Sequence, residues 1–339
     1  MKKAQKAGPR ASCSPKESRI VTEEQDKVFT QDQNEEHSRL MRSATYAAVG
    51  VALTLIAIKL FAYLATNSVA MLSTLVDSLL DLLASGINLF AVRQALVPAD
   101  RDHRFGHGKA EALAGLFQAA IIMGSAVFLL FQAGERLLNP KPIQAETVGI
   151  IIMVISILLT LGLVWYQRHV IRKTRSVAIS ADSLHYVGDL LINSSVILAL
   201  VLEMVFLWHY ADGLFAILIA GILLYSAIAI IRTSFADLMD EELGEEEREN
   251  IKTIVLSQPG VLGLHDLRTR RSGQQVFMQM HIDMDGSISL HDAHLIADTV
   301  EVRLMAEYPE AEAIVHQDPV TVTADAETGD NPATPRNEP

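Results

Sequence analysis

The sequence contains a single cysteine, Cys13, in a polar segment close to its beginning. One thiol cannot form a disulfide within the chain, and it also excludes the cysteine clusters that hold many structural zinc ions. Any metal site in this chain must therefore be built from histidine and carboxylate ligands.

Positive charge is scarce as well, with 28 Lys and Arg against 40 Asp and Glu and a formal net charge of −12. We therefore expect no nucleic acid partner. A summed negative field raises the local concentration of cations. The composition favours a cationic ligand.

Long apolar runs are abundant, in a chain that is 50% hydrophobic and 20% charged. The charged residues are concentrated in residues 1–42 and 237–339, and blocks of about twenty apolar residues, long enough to span a bilayer as helices, lie between them. So many long blocks disfavour a soluble helical bundle. The pattern predicts six transmembrane helices, at residues 43–65, 69–97, 110–138, 147–167, 177–206 and 211–235.

The remaining segments divide the chain further. Residues 1–38 are polar, lack the apolar core of a signal peptide, and are expected to be a disordered tail, as are residues 323–339. The transmembrane domain is expected at 39–236. Residues 237–322 then show the pattern helix, two strands, helix, strand, which predicts a small α+β domain.

The loop charges predict the orientation in the membrane, because Lys and Arg in short loops mark the cytoplasmic side. One set of helix ends is rich in Arg and Lys, whereas the opposite ends offer only Arg136 and Lys141. Both termini are therefore expected in the cytoplasm. Lys59 lies within the first span, and we expect it to extend outward to the interface.

Two pairs of ionisable residues lie inside predicted spans. Asp77 and Asp81 are four positions apart in the second span, as are His185 and Asp189 in the fifth, so each pair shares one helix face. Ionisable groups in a bilayer mark ion pathways. Four such donors match the number and type that tetrahedral Zn²⁺ prefers. Asp182, one turn before His185, is expected to support this site or the helix end.

The loop after the second span reads PADRDHRFGHGKAE. Asp100, His103 and His107 are spaced in it as ligands of a weak, exposed metal site would be. The alternative is a solvated turn with incidental histidines.

Histidine is dense in the C-terminal region, where His265, His281, His291, His294 and His316 occur. Alternation along a strand puts His316 and Asp318 on one face, and His281 lies on the polar face of its own strand. This density indicates metal binding. His291 is interpreted as a surface residue.

The stretches LVDSLLD, PADRDHRFGHGKAE, ADSLHYVGD, HDLRTR and IVHQDP together resemble the cation diffusion facilitator family, in particular its bacterial zinc and ferrous-iron efflux branch, over residues 40–322. The resemblance implies a homodimer in the bacterial inner membrane, with six transmembrane helices and a cytoplasmic ferredoxin-like domain. It also implies export of a divalent ion such as Zn²⁺, Cd²⁺ or Fe²⁺ in exchange for protons.

The resemblance assigns roles to individual residues. The transport site would be Asp77, Asp81, His185 and Asp189, and a loop site would use Asp100, His103 and His107. A binuclear cytoplasmic site would use His265, His281, His294, His316 and Asp318. Lys109 and Asp240 would form a charge pair linking the two domains.

Two other functions compete with transport as interpretations of the sequence. An intramembrane zinc protease is disfavoured, because no H-E-x-x-H occurs and four protein ligands leave no position for an activated water. A membrane-anchored metal sensor, whose soluble domain signals to a partner, remains the alternative to a transporter.

Overall fold

The computed structural model describes residues 15–66, 69–139, 147–206, 208 and 210–321. These residues fall into two compact units that divide after Glu241, with residues 272–275 grouped with the first unit. Each unit is described by itself below.

The first unit consists of long helices. They are α1 (Pro15–Thr66), α2 (Val69–Ala95), α3 (Lys109–Leu138), α4 (Thr147–Thr174), α5 (Val177–Phe206) and α6 (Ala211–Leu238). All six contain a segment long and apolar enough to cross a membrane. Large apolar side chains such as Phe61, Phe131 and Trp165 are exposed on their outer surfaces, as lipid-facing helices require.

The beginning of α1 differs from the prediction. Residues 15–38, expected to be disordered, are part of the helix that begins at Pro15. Their Lys, Glu and Gln residues are good helix formers, and extending an existing helix avoids the cost of nucleation. Residues 1–14 and 323–339, the rest of the two predicted tails, lie outside the described residues.

Small residues set the packing of the helices. Helix α3 packs along α6, α1 along α2, and α5 contacts α3, α4 and α6. Between α3 and α6, Ala119, Ala126, Ala220 and Ala227 are all buried. Short side chains at such interfaces allow helix backbones to approach closely in lipid.

The second unit contains α7 (Glu245–Leu256), β1 (Gly263–Ser272), β2 (Gln275–Asp285), α8 (Leu290–Glu307) and β3 (Ala311–Val320). The sheet order is β1-β2-β3. Strands β2 and β3 are parallel, which needs a crossover connection such as α8 supplies.

Alternation along β2 builds the core of this unit. Met278, Met280, Ile282 and Met284 are buried against apolar residues of both helices, whereas Gln279, His281 and Asp283 are on the opposite, wetter face. The order helix, strand, strand, helix, strand confirms the predicted fold class.

Candidate metal centres

Side chains from α2 and α5 meet in the interior of the first unit. Nε2 of His185 lies 3.0 Å from Oδ1 of Asp81 and 3.8 Å from Oδ2 of Asp189. Each of the three residues offers one ligand atom, and these atoms all lie within 4.8 Å of one another. The exposed fractions of the side chains are 10% for His185, 21% for Asp81 and 33% for Asp189. This group is called the α2–α5 cluster below.

Asp77, the fourth predicted ligand, lies one turn before Asp81 on α2 and is exposed. Among the described residues, it does not belong to the group whose ligand atoms lie within 4.8 Å of one another. Since α2 repeats every 3.6 residues, Asp77 stays on the same helix face as Asp81.

A buried polar layer lies one turn after Asp81 on α2 and one turn before His185 on α5. Nε2 of Gln167 donates a 2.7 Å hydrogen bond to Oδ2 of Asp182, and the Ser85 hydroxyl lies 3.4 Å from Oδ1. Ser85 is also 2.9 Å from the Tyr186 hydroxyl. Of these residues, only Asp182 was predicted from the sequence to support the site. The spacing Asp77, Asp81, Ser85 was a usable signal for Ser85, because residues four apart share a helix face.

Lys59 does not extend outward as predicted. Its Nζ lies 2.6 Å from Oγ of Ser78 and 3.2 Å from the Thr74 carbonyl oxygen, both on α2. The prediction was wrong because it considered only the distance to the membrane surface. Polar acceptors on the neighbouring helix offered a partner within reach.

The loop between α2 and α3 brings Asp100, His103 and His107 together. Oδ1 of Asp100 accepts hydrogen bonds from the backbone N–H groups of Asp102 at 2.9 Å and His103 at 2.6 Å. The bond from the His103 N–H lowers the pKa of Asp100. Gly106, with φ of 74°, supplies a left-handed turn at which glycine is favoured. The loop thus holds an ionised carboxylate beside two imidazoles.

A third group lies on the wetter face of the sheet. The parallel register places His281 beside His316 and Asp283 beside Asp318. Asp318 is the centre, with imidazole nitrogens of His281, His265 and His316 at 2.9, 3.2 and 3.3 Å. The hydrogen bond from His281 lowers the pKa of Asp318, and the three neighbouring histidines act in the same direction. This group is called the sheet cluster below.

His294, which was predicted to belong to the same site, lies apart from it in this chain. Its Nδ1 is 3.4 Å from Oδ1 of Asp298, one turn further along α8, and its side chain is 65% exposed. The helix places it on a solvent-facing surface, whereas the sheet cluster depends on strand register. The described residues of one chain therefore assemble the sheet cluster without His294.

Lys109 and Asp240 form the predicted pair, with Nζ 3.0 Å from Oδ1. Asp240 follows the end of α6 in the left-handed region, with φ of 56°, and the next N–H bonds back to Ala236 O at 3.0 Å. This is the αL helix terminus that usually carries glycine. The role of the Lys109–Asp240 pair in linking the two domains stays a prediction.

The three groups share one chemistry. Each combines imidazole nitrogens with carboxylate oxygens, a set that suits Zn²⁺ and related divalent ions. Six membrane-length helices with a histidine and carboxylate group between two of them define a multi-span membrane protein of the cation-transporting class.

Comparison with known families supports this class. Residues 45–239 match the cation efflux transmembrane domain, and residues 243–320 match ZT_dimer, the cytoplasmic domain of cation efflux proteins. The chain belongs to the cation efflux family, which confirms the resemblance seen in the sequence.

Similar proteins include several named cation-efflux pump FieF. That of Shewanella oneidensis is 51% identical over 86% of this chain and 98% of its own length, and that of Escherichia coli is 45% identical over 85% and 96%. Among solved structures, the zinc form of CzrB, described as a candidate zinc transporter, is 33% identical over 24% of this chain and 92% of that chain, with a TM-score of 0.23.

Proposed function

We propose that this protein is a proton-coupled antiporter that exports divalent transition metal, Zn²⁺ foremost, and also Cd²⁺ or Fe²⁺, from the cytoplasm. The transport site would be Asp81, His185 and Asp189, with Asp77 joining when an ion is bound. The single observation that carries the proposal is the α2–α5 cluster, whose ligand atoms lie within 4.8 Å of one another.

Proton coupling follows from the ligand chemistry. Carboxylate and imidazole groups must lose their protons before they bind a metal, so metal and protons compete for one site. In a low-dielectric setting an uncompensated carboxylate is costly, and either protons or the ion must neutralise it. If the site opens to each side in turn, an inward proton gradient drives metal outward.

The proposed location is the bacterial inner membrane, with both termini in the cytoplasm. Arg93 lies in the last turn of α2, Arg101 and Arg104 follow that helix, and Arg168, Arg172 and Arg175 lie at the end of α4. At the opposite helix ends, the structure describes Arg136 at the end of α3, and this residue pairs with Asp212. This asymmetry matches the positive-inside rule.

The sheet cluster is proposed as a regulatory or structural metal site of a homodimer. Its ligands follow the last span, so they lie off the transmembrane path. Metal held by β1, β2 and β3 together would stabilise the second unit by mass action. The loop group is proposed as a weaker site, where cytoplasmic ions bind before reaching the α2–α5 cluster.

Purified protein in liposomes, with a metal dye and a pH dye inside, tests the transport proposal. Asp81→Asn and Asp189→Asn should each abolish metal flux and the accompanying proton movement, because each removes a charged ligand. A suitable control is Glu203→Gln on the same helix. Glu203 lies 14 residues after Asp189, about 21 Å along α5, and this variant should transport like wild type.

Wild-type flux in Asp81→Asn would refute the assigned site. Metal flux that ignores an imposed pH difference would refute proton coupling and leave the site standing. Metal binding without any flux in the wild-type protein would favour the membrane-anchored sensor.

A further inference from the structure

Lys59 lies deep in α1. Seven residues separate it from the end of the helix at Thr66, which corresponds to about 10 Å along the helix axis. Its side chain is half-buried and turns toward α2, where Nζ bonds Ser78 Oγ at 2.6 Å and the Thr74 carbonyl at 3.2 Å. Both acceptors are neutral. Among the described residues, no carboxylate forms an ion pair with this ammonium.

The anchoring residue ties Lys59 to the α2–α5 cluster. Ser78 lies three residues before Asp81 on α2, so these two residues are neighbours on the helix surface. Ser78 is 1% exposed, so the ammonium is anchored to a buried hydroxyl. Lys59 interacts electrostatically with Asp81, Asp189 and Asp77.

A positive charge near a cation site needs a reason, because it opposes binding. Ionised Asp77, Asp81 and Asp189 carry three negative charges, whereas a divalent ion supplies only two positive ones. A net charge left in a low-dielectric region is costly. With neutral His185, the lysine supplies the third positive charge and makes the loaded site neutral.

We propose that Lys59 is a positioning residue of the transport site, a tethered cation held by Ser78 that balances a bound divalent ion and weakens its binding enough for release. This inference rests on the proposed function. Lys59 touches no ion itself. It acts through the field it creates at Asp81 and Asp189.

Loss of the Lys59 charge is expected to increase the affinity for the ion and to decrease the turnover rate. Without the lysine charge, the site attracts a divalent ion more strongly, so the dissociation constant and KM should fall. The same attraction holds the ion in the site, so kcat should fall too. A residue that served only the packing of α1 against α2 would weaken binding or lower the yield of folded protein instead.

The experiment measures Zn²⁺ and Cd²⁺ binding by calorimetry and flux in liposomes, on the full chain. A background with His281→Ala and His107→Ala weakens the other two candidate sites. In it, Lys59→Gln should bind the ions at least ~10-fold more tightly and lower both KM and kcat. Lys59→Arg keeps the charge and should remain within about threefold of the background protein.

Ser78→Ala tests the same role without replacing Lys59, in case the lysine variants fail to fold. It changes no charge but frees the ammonium from its anchor, so it should shift affinity in the same direction by a smaller factor. Unchanged affinity in Lys59→Gln, with binding lost in Asp81→Asn, would overturn the role of Lys59 and leave the transport site intact. Unchanged binding in both variants would overturn the transport site and this inference together.

Discussion

Gln167 on α4 donates a 2.7 Å hydrogen bond to Asp182 on α5, and the two residues are 0% and 1% exposed. Asp182 begins the turn that ends at His185. The bond therefore fixes a carboxylate next to the α2–α5 cluster while keeping it out of that cluster. A buried carboxylate depends strongly on such partners, because an unsatisfied one bears the full cost of desolvation.

Gln167→Leu is expected to destabilise the protein. The substitution keeps the approximate volume but removes the donor to Asp182, at a cost of about 1–3 kcal/mol. Thermal unfolding in detergent would measure the loss. Gln132→Leu on α3, at an exposed position, is the control and should leave the melting temperature unchanged or higher. Equal melting of both variants and wild type would contradict the importance of this bond.

Much of this architecture was predictable from the sequence. The six membrane-length helices were predicted from the length of the apolar blocks. The strands of the second unit were predicted from the alternation of apolar residues such as Met278 and Met280 with polar ones. The α2–α5 cluster followed from spacing, since Asp81, His185 and Asp189 lie on predictable helix faces. The sheet cluster followed less directly, because pairing His281 with His316 requires a strand register.

Two residues were missed for the same physical reason. Lys59 and Gln167 find partners on neighbouring helices, and sequence periodicity gives the face of a residue but not which helix packs against it. The assignment of His294 to the metal site rests on resemblance and stays a prediction, since in one chain this residue lies beside Asp298. The helix over residues 15–38 was missed because composition alone does not show that these residues extend the transmembrane helix that follows them.

His185 should determine the preference among metals. His185→Asp replaces the imidazole of the α2–α5 cluster with a third carboxylate, and all-oxygen sites suit Mn²⁺ and Mg²⁺ better than Zn²⁺. We expect the preference for Zn²⁺ over Mn²⁺ in competition flux to fall by about tenfold. His185→Ala should reduce flux of both ions. An unchanged preference in His185→Asp would place metal selection elsewhere.

Two substitutions of Asp100 distinguish its effect on the fold of the loop from the effect of its charge. Asp100→Asn keeps an oxygen that accepts the N–H bonds of Asp102 and His103, whereas Asp100→Ala loses both bonds. Hydrogen exchange of residues 99–108 should therefore rise in the alanine variant and stay near wild type in the asparagine variant. Metal binding by the loop should be lost in both. Binding retained in Asp100→Asn would remove the carboxylate from the loop site.

The pH dependence of the loop has a defined sign. Because the folded structure lowers the pKa of Asp100, the ionised carboxylate favours the ordered loop above its ordinary pKa. That contribution is lost only as the pH falls through the lowered value, on the acid side of about pH 4. Exchange rates in wild type should thus stay constant, apart from intrinsic exchange, from neutral pH to about pH 5. Opening of the loop well above pH 5 would contradict this assignment.

Zinc should stabilise the second unit by binding to the sheet cluster, and the distances to Asp318 predict which histidines this effect requires. A polypeptide of residues 242–321 contains the whole apolar core of this unit and can be studied alone. A ligand that binds only the folded state adds about 2.7 kcal/mol when it is present at roughly a hundredfold above its dissociation constant. The melting temperature should therefore rise with zinc.

The matched variants are His281→Ala and His294→Ala. His281 lies 2.9 Å from Asp318 and should be essential for the zinc-dependent gain, whereas His294 lies with Asp298 and its loss should leave most of the gain. Calorimetric scans with and without zinc, at two protein concentrations, would measure both effects. A gain that survives His281→Ala would refute the sheet cluster as a zinc site. A gain erased by His294→Ala would mean that the site needs this histidine, and a dependence on protein concentration would show that a second copy supplies it.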